Sequence, residues 1–144
     1  MNELKRRGII RSKNLLGDLG EYFAINHYCN TPGLPNLQFA PIGTQNTDAI
    51  SIKGDRYSIK STTGKTTGVF YGLEEPNSIN PDLQKFEFVI VVIFNENYLL
   101  QKVIELTWDQ FLENKRWHSR MKAWNLSITK KLLNESKLIY LNAN

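Results

Sequence analysis

The sequence contains one cysteine, Cys29, and two histidines, His27 and His118. One thiol closes no internal disulfide, and three such side chains are too few for a zinc cage, so neither is expected to hold the fold. Long apolar runs are missing too. The longest, residues 86–94 (FEFVIVVIF), is broken by Glu87 and has the length of a strand, far short of the roughly 20 residues that span a bilayer. The opening MNELKRRG leads into no apolar stretch, so no secretory signal and no membrane partner are expected, and the implied setting is reducing and cytoplasmic. Repeats and Pro/Gly/Ser-rich linkers are absent, and 144 residues leave too little chain for two independent cores. With 41% apolar and 11% aromatic residues, the chain reads as one domain over residues 1–144 that buries its own core.

Charge is present and clustered. The net charge is +4, with residues 1–13 holding five bases against Glu3, and residues 113–131 holding six against Glu113. Residues 74–87 carry a compensating local excess of acid. Two basic blocks on a modestly basic domain suit a polyanion, because each Lys or Arg brought onto a phosphate releases condensed counterions. They suit an acidic protein partner as well.

Residues 12–28 read as a first helix capped by Ser12, with Leu15, Leu16, Leu19, Tyr22 and Phe23 as the core-facing stripe. Residues 37–40 are a short strand candidate. Residues 48–52 and 56–60 read as a β-hairpin, 69–71 as another short strand, and 86–94 as a central strand buried on both faces. A following strand over 98–105, a short helix capped by Thr107 and running to Leu112, a helix over 117–134 with a break near 125–127, and a final strand over 138–141 complete the reading. The expected class is α/β, a central mixed β-sheet flanked by helices.

Two places invite chemistry. On the first helix, Gly17, Gly20, Glu21 and Ala24 lie together on one side, although each interior glycine costs about 1 kcal/mol relative to alanine. Either the glycines admit a neighbouring strand and Glu21 faces water, or Glu21 is an acid in a crowded place that needs a cation or donors. In the hairpin the parity of the turn decides the outcome. A three-residue loop over residues 52–54, with Gly54 left-handed, sets Asp48 opposite Ser58 and puts Lys60 on the same face; a Gly54-Asp55 turn sends Asp48 and Lys60 to opposite faces. A strand-end aspartate near a lysine is what a metal and a water require, since carboxylate oxygens suit Mg²⁺ and an ammonium offsets transition-state charge. In the plainer alternative Asp48 caps a turn and the Lys60 stem lies along an edge strand.

GEYFA (residues 20–24), NTDAI (46–50) and YSIKST (57–62), in that order, resemble the active-site signature of the PD-(D/E)xK nuclease superfamily, the fold of many type II restriction endonucleases. The resemblance spans residues 12–94. It implies a restriction-endonuclease-like core and hydrolysis of DNA phosphodiester bonds with Mg²⁺ or Mn²⁺ by a homodimer. Asp48 and Glu21 are then the metal ligands and, with Lys60, the catalytic residues. The sequence departs from the pattern at Ser58, which stands where the second acid is expected, with Ser61 and Thr62 beside it. Either Glu21 supplies the missing charge from the helix, or the protein is a non-catalytic relative that binds nucleic acid. Asp18 and Asp55 are reserve acids.

GKT at residues 64–66 does not complete a P-loop, because Ile59 stands where glycine is required. Lys65 is instead expected to touch phosphates from a polar loop. In KRWHSRMKAWNLSITKK (residues 115–131), Arg116, His118, Arg120 and Lys122 are candidate contacts to phosphates or base edges. Trp117, Met121, Trp124 and Ile128, at helical spacing, are expected to pack on the sheet.

Overall fold

A computed structural model describes residues 15–41 and 43–143. Ser12 and the basic block over residues 1–13 lie outside them. Helix α1 (Leu15–Asn30) is followed by β1 (Leu37–Phe39), β2 (Ala49–Ser51), β3 (Arg56–Thr62), β4 (Phe88–Phe94) and β5 (Leu100–Thr107). Then come α2 (Trp108–Asn114), β6 (Lys115–His118), β7 (Ala123–Leu126), α3 (Lys130–Glu135) and β8 (Lys137–Leu141). Six strands form one sheet in the order β1-β2-β3-β4-β5-β8, and β6 and β7 form a separate ribbon. Only β3 and β4 pair in parallel, so the sheet is mixed.

The apolar run of β4 occupies the middle of this sheet. Val89, Ile90, Val91 and Val92 have no exposed surface, and each such side chain contributes about 1.5–3 kcal/mol of burial. Alternation along β3 and β4 splits the core into two layers. Tyr57, Ile59, Ile90, Val92 and Phe94 pack under α1. Val89 and Val91 pack on the other side with Phe70, Phe86, Trp108 and Phe111, and with Leu132 of α3. The connection over residues 63–87 lays Phe70 and Phe86 onto that second face. Thr107 caps α2 as expected, in a full capping box with Gln110.

Of the stripe its leucines suggest only Leu15 is buried, and the first helix sits on the sheet mainly by another. Gly20, Ala24 and Tyr28 are buried, one helical turn apart, whereas Leu16, Leu19 and Phe23 flank the core half-buried and Tyr22 is 67% exposed. Small side chains bring the helix axis nearest the sheet along that line, and the bulkier residues spread to either side.

The expected helix over residues 117–134 is instead the β6–β7 ribbon followed by α3. Trp117 and Trp124 face each other across the ribbon, edge to face at 5.2 Å. Met121 falls in the exposed turn, where Lys122 takes a positive φ of 50°. The break expected near 125–127 is the end of β7 at Leu126, and the cap of the helix that follows is Thr129. Residues 69–71 form no strand of their own; Phe70 makes one bridge to Trp124. Tertiary pairing has overridden a spacing that fitted either period.

Candidate active site where β2 stops and β3 runs on

The hairpin turns through residues 52–54. Ser51 N–H donates to the Asp55 carbonyl at 2.9 Å, Gly54 N–H donates to the Ser51 carbonyl at 2.9 Å, and Gly54 has φ +92°. This is the three-residue loop with a left-handed glycine. The register it sets holds at Ile50↔Arg56 and Ala49↔Tyr57 and then slips. Asp48 N–H donates to the Tyr57 carbonyl at 2.8 Å, so Asp48 and Ala49 both meet Tyr57, and the expected pairing of Asp48 with Ser58 is lost to a bulge. Strand β3 continues to Thr62, but among the described residues β2 supplies it no partner beyond Tyr57. The Asp48 carboxylate takes over one unmet donor: Oδ2 accepts from Ile59 N–H at 2.7 Å. That amide points along the sheet towards β2, so the carboxylate lies at the edge of β3, in line with the ladder.

Glu21 approaches the same edge from α1. The helix can come this close because Gly20 stands over Ser61 of β3, where a Cβ would run into the Ser61 Oγ. Gly17, by contrast, faces open space. Glu21 and Asp48 together line an open cavity of about 460 Å³, with Phe39, Pro41, Thr44 and Thr47 among its other walls. Lys60 belongs to the opposite face of β3, beside Val91. Its Nζ donates to the Val69 carbonyl at 3.0 Å and sits 4.7 Å from the centre of the Phe70 ring. Among the described residues it makes no ion pair with either acid.

The charges nevertheless feel one another. Burial, then the Asp48 and Asp18 carboxylates, push Glu21 up to about 7 against the pull of Lys60. Burial also raises Asp48, although Ile59 N–H and Lys60 oppose it. Lys60 is lowered by burial and held up by Asp48 and then Glu21. Two carboxyls raised and a lysine lowered, each chiefly by burial, mark a crowded charged place that a cation between the acids would relieve.

The neighbouring residues play other parts. Ser58, at the expected acid position, is 1% exposed, its Oγ has no hydrogen-bond partner among the described residues, and it lines no part of the acid cavity. Ser61 Oγ is likewise buried and unpartnered. Thr62 Oγ1 donates to the Thr66 carbonyl at 2.7 Å and accepts from Gly64 N–H, closing the loop after β3. Asp55 lies at the other end of the hairpin. Lys65, Arg116, Arg120 and Lys122 are exposed on the loop and the ribbon, which are tied together by Thr66↔Ser127 and Phe70↔Trp124. His118 Nδ1 accepts from Met121 N–H at 3.1 Å and so serves the ribbon turn.

Phe70, Val69 and Thr47 were not singled out by the sequence. A β-like VFY stretch next to a polar loop is the only trace of the two that hold Lys60. Among the described residues no group of three or more His, Cys, Asp or Glu is arranged for a metal, so the donor set here is two carboxylates. That set fits Mg²⁺, which keeps several waters and takes one or two carboxylates plus substrate phosphate. The chain matches no family model and no curated protein sequence.

Proposed function

We propose that this protein is a Mg²⁺- or Mn²⁺-dependent DNA endonuclease with a restriction-endonuclease-like core, working as a homodimer. The observation that carries the reading is the shared cavity of Glu21 and Asp48, whose acids are both raised by burial and have Lys60 as their electrostatic counterweight. A divalent cation held by the two carboxylates supplies Lewis-acid polarisation of the scissile phosphodiester. The chain does the rest. Ile59 N–H fixes one oxygen of Asp48 and leaves the other for ligation. Glu21 is carried on a helix that Gly20 lets lie close to β3, and among the described residues packing positions it with no hydrogen bond to its side chain. Lys60, on the far face of β3 with its ammonium held by Val69 and Phe70, acts on the two acids through its charge and would offset charge that develops on the phosphate. Lys65, Arg116, Arg120 and Lys122 form a basic surface for the phosphate backbone.

Plasmid cleavage with Mg²⁺ or Mn²⁺ tests the reading. Asp48→Ala and Lys60→Ala are each expected to lower the rate by at least about a hundredfold; equal cleavage by all three proteins overturns it. The burial of Ser58 favours a second reading, a non-catalytic relative. That one predicts salt-sensitive DNA binding with no hydrolysis, and it fails once cleavage disappears with Asp48.

A further inference from the structure

At the other end of β3 lies a second cavity, of about 640 Å³, bounded by the turn after α1, the hairpin tip and strands β3 to β5. None of Glu21, Asp48 and Lys60 lines it. Glu105 of β5 does, and is only 8% exposed. One of its carboxyl oxygens accepts the Tyr28 hydroxyl at 2.7 Å. The second has no partner among the described residues and is not sealed in the core, so it opens to the cavity. Tyr57 and Phe88, stacked at 5.0 Å, form an aromatic wall beside it. Lys137 faces Glu105 across the β5–β8 ladder but is exposed and makes no ion pair with it.

A carboxyl group this deeply buried is normally matched by a cation or by a full set of donors. Here one donor is present, and aromatic rings stand where a cation gains further attraction. Lys53, Asp55 and Lys137 also line the cavity, the two lysines at exposed positions, so Glu105 is its one deeply buried charge, set beside an aromatic wall as in small-molecule sites. We propose that this cavity binds a small organic cation, a primary amine or guanidinium on a short apolar stem, with Glu105 as its counter-ion and Tyr57 and Phe88 against the stem. The proposal rests on no part of the nuclease reading.

Calorimetric titration of the full chain with agmatine tests it, with glutarate as the anionic control and 1-pentanol as the uncharged one. Saturable agmatine binding is expected, with both controls at least about tenfold weaker. Glu105→Gln keeps an oxygen for the Tyr28 hydroxyl and is expected to weaken agmatine by about tenfold or more. Lys137→Glu, at an exposed position, adds a second carboxylate and is expected to tighten it about two- to threefold. The proposal is overturned if agmatine does not saturate below about 10 mM, if either control binds as well, if Glu105→Gln binds equally, or if Lys137→Glu leaves binding unchanged or weaker. Should Glu105→Gln fail to fold, Lys137→Glu and the two controls decide.

Discussion

At the Tyr57 end of β3 the buried carboxyl of Glu105 is held by the Tyr28 hydroxyl among aromatic rings. At the Lys60 end Glu21 and Asp48 share a cavity, and burial, then the Asp48 charge, press Glu21 up towards neutral pH. One strand thus carries an acid with a fixed donor at one end and two acids kept in want of a cation at the other. The Tyr28 hydroxyl anchors the first acid and leaves its other oxygen to the cavity beside it; the crowded pair has no such hydroxyl, is costly in the absence of a ligand and suits a site that has to bind one.

The largest effect is expected at the Lys60 end. In Gly20→Ala the new Cβ meets Ser61, whose Cβ would lie 3.1 Å away. Overpacking of this kind costs about 1–3 kcal/mol, and the better helix propensity of alanine returns about 1 kcal/mol. Because the added Cβ would overlap the Ser61 Oγ outright, the cost falls at the top of that range, and a net loss of about 2 kcal/mol in urea unfolding is expected, largely recovered by adding Ser61→Ala. No recovery in the double variant would mean that the helix is not held off by that side chain.

Tyr28→Phe strikes the other end. It removes the one hydrogen bond that Glu105 accepts and leaves a buried carboxyl without a donor, for an expected loss of about 1.5 kcal/mol. The melting temperature should fall, with no change in DNA cleavage or in any response to Mg²⁺. A change in either would show that the two ends of β3 are coupled.

Glu21→Gln is expected to stabilise the protein in one pH range only. The folded-state value of about 7 lies above the ordinary 4.5, so between these values the folded protein holds a proton that the unfolded chain has released. Stability therefore falls as pH rises through that window. The glutamine variant escapes the loss. The two proteins should melt alike at about pH 4 and diverge up to about pH 7, with the gap constant beyond. Glu21 is partly open to solvent, which screens the effect, so the plateau is put at about 1 kcal/mol, or roughly 3 °C. A gap that is the same at every pH would remove Glu21 from the list of strained acids.

The ease of reading these regions from sequence followed the range of the interactions. The hairpin, the Thr107 cap and the buried run of β4 are set by residues within a few positions of one another, and each stands where turn chemistry, capping and hydropathy put it, although the sequence leaves the choice between two hairpin loops open. Glu21 stood out because Gly20 beside it is expensive in a helix unless something approaches closely. The ribbon over residues 115–126 was read as helix because Trp117, Met121 and Trp124 fit a 3.6-residue period. The bridges from Thr66 and Phe70 that hold it as strands come from 61 and 54 residues away. The bulge at Asp48 left no mark either. It follows from the carboxylate finding the Ile59 amide, a contact between two strands that no local pattern records.

Ser58 gives the smallest effect and the most direct comparison of the two ends. Its hydroxyl is buried and unpartnered one residue from Tyr57 and two from Lys60, on the face of β3 turned away from α1. An unmet hydroxyl costs about 1–3 kcal/mol in desolvation, while its removal leaves a small void, so Ser58→Ala is expected to gain about 0.5 kcal/mol net. The gain should be the same with and without Mg²⁺, because the side chain lines no wall shared by Glu21 and Asp48. If Ser58→Ala instead destabilises only the Mg²⁺-treated protein, the hydroxyl reaches the acids after all. The place of the missing second carboxylate would then be part of the site and not of the core.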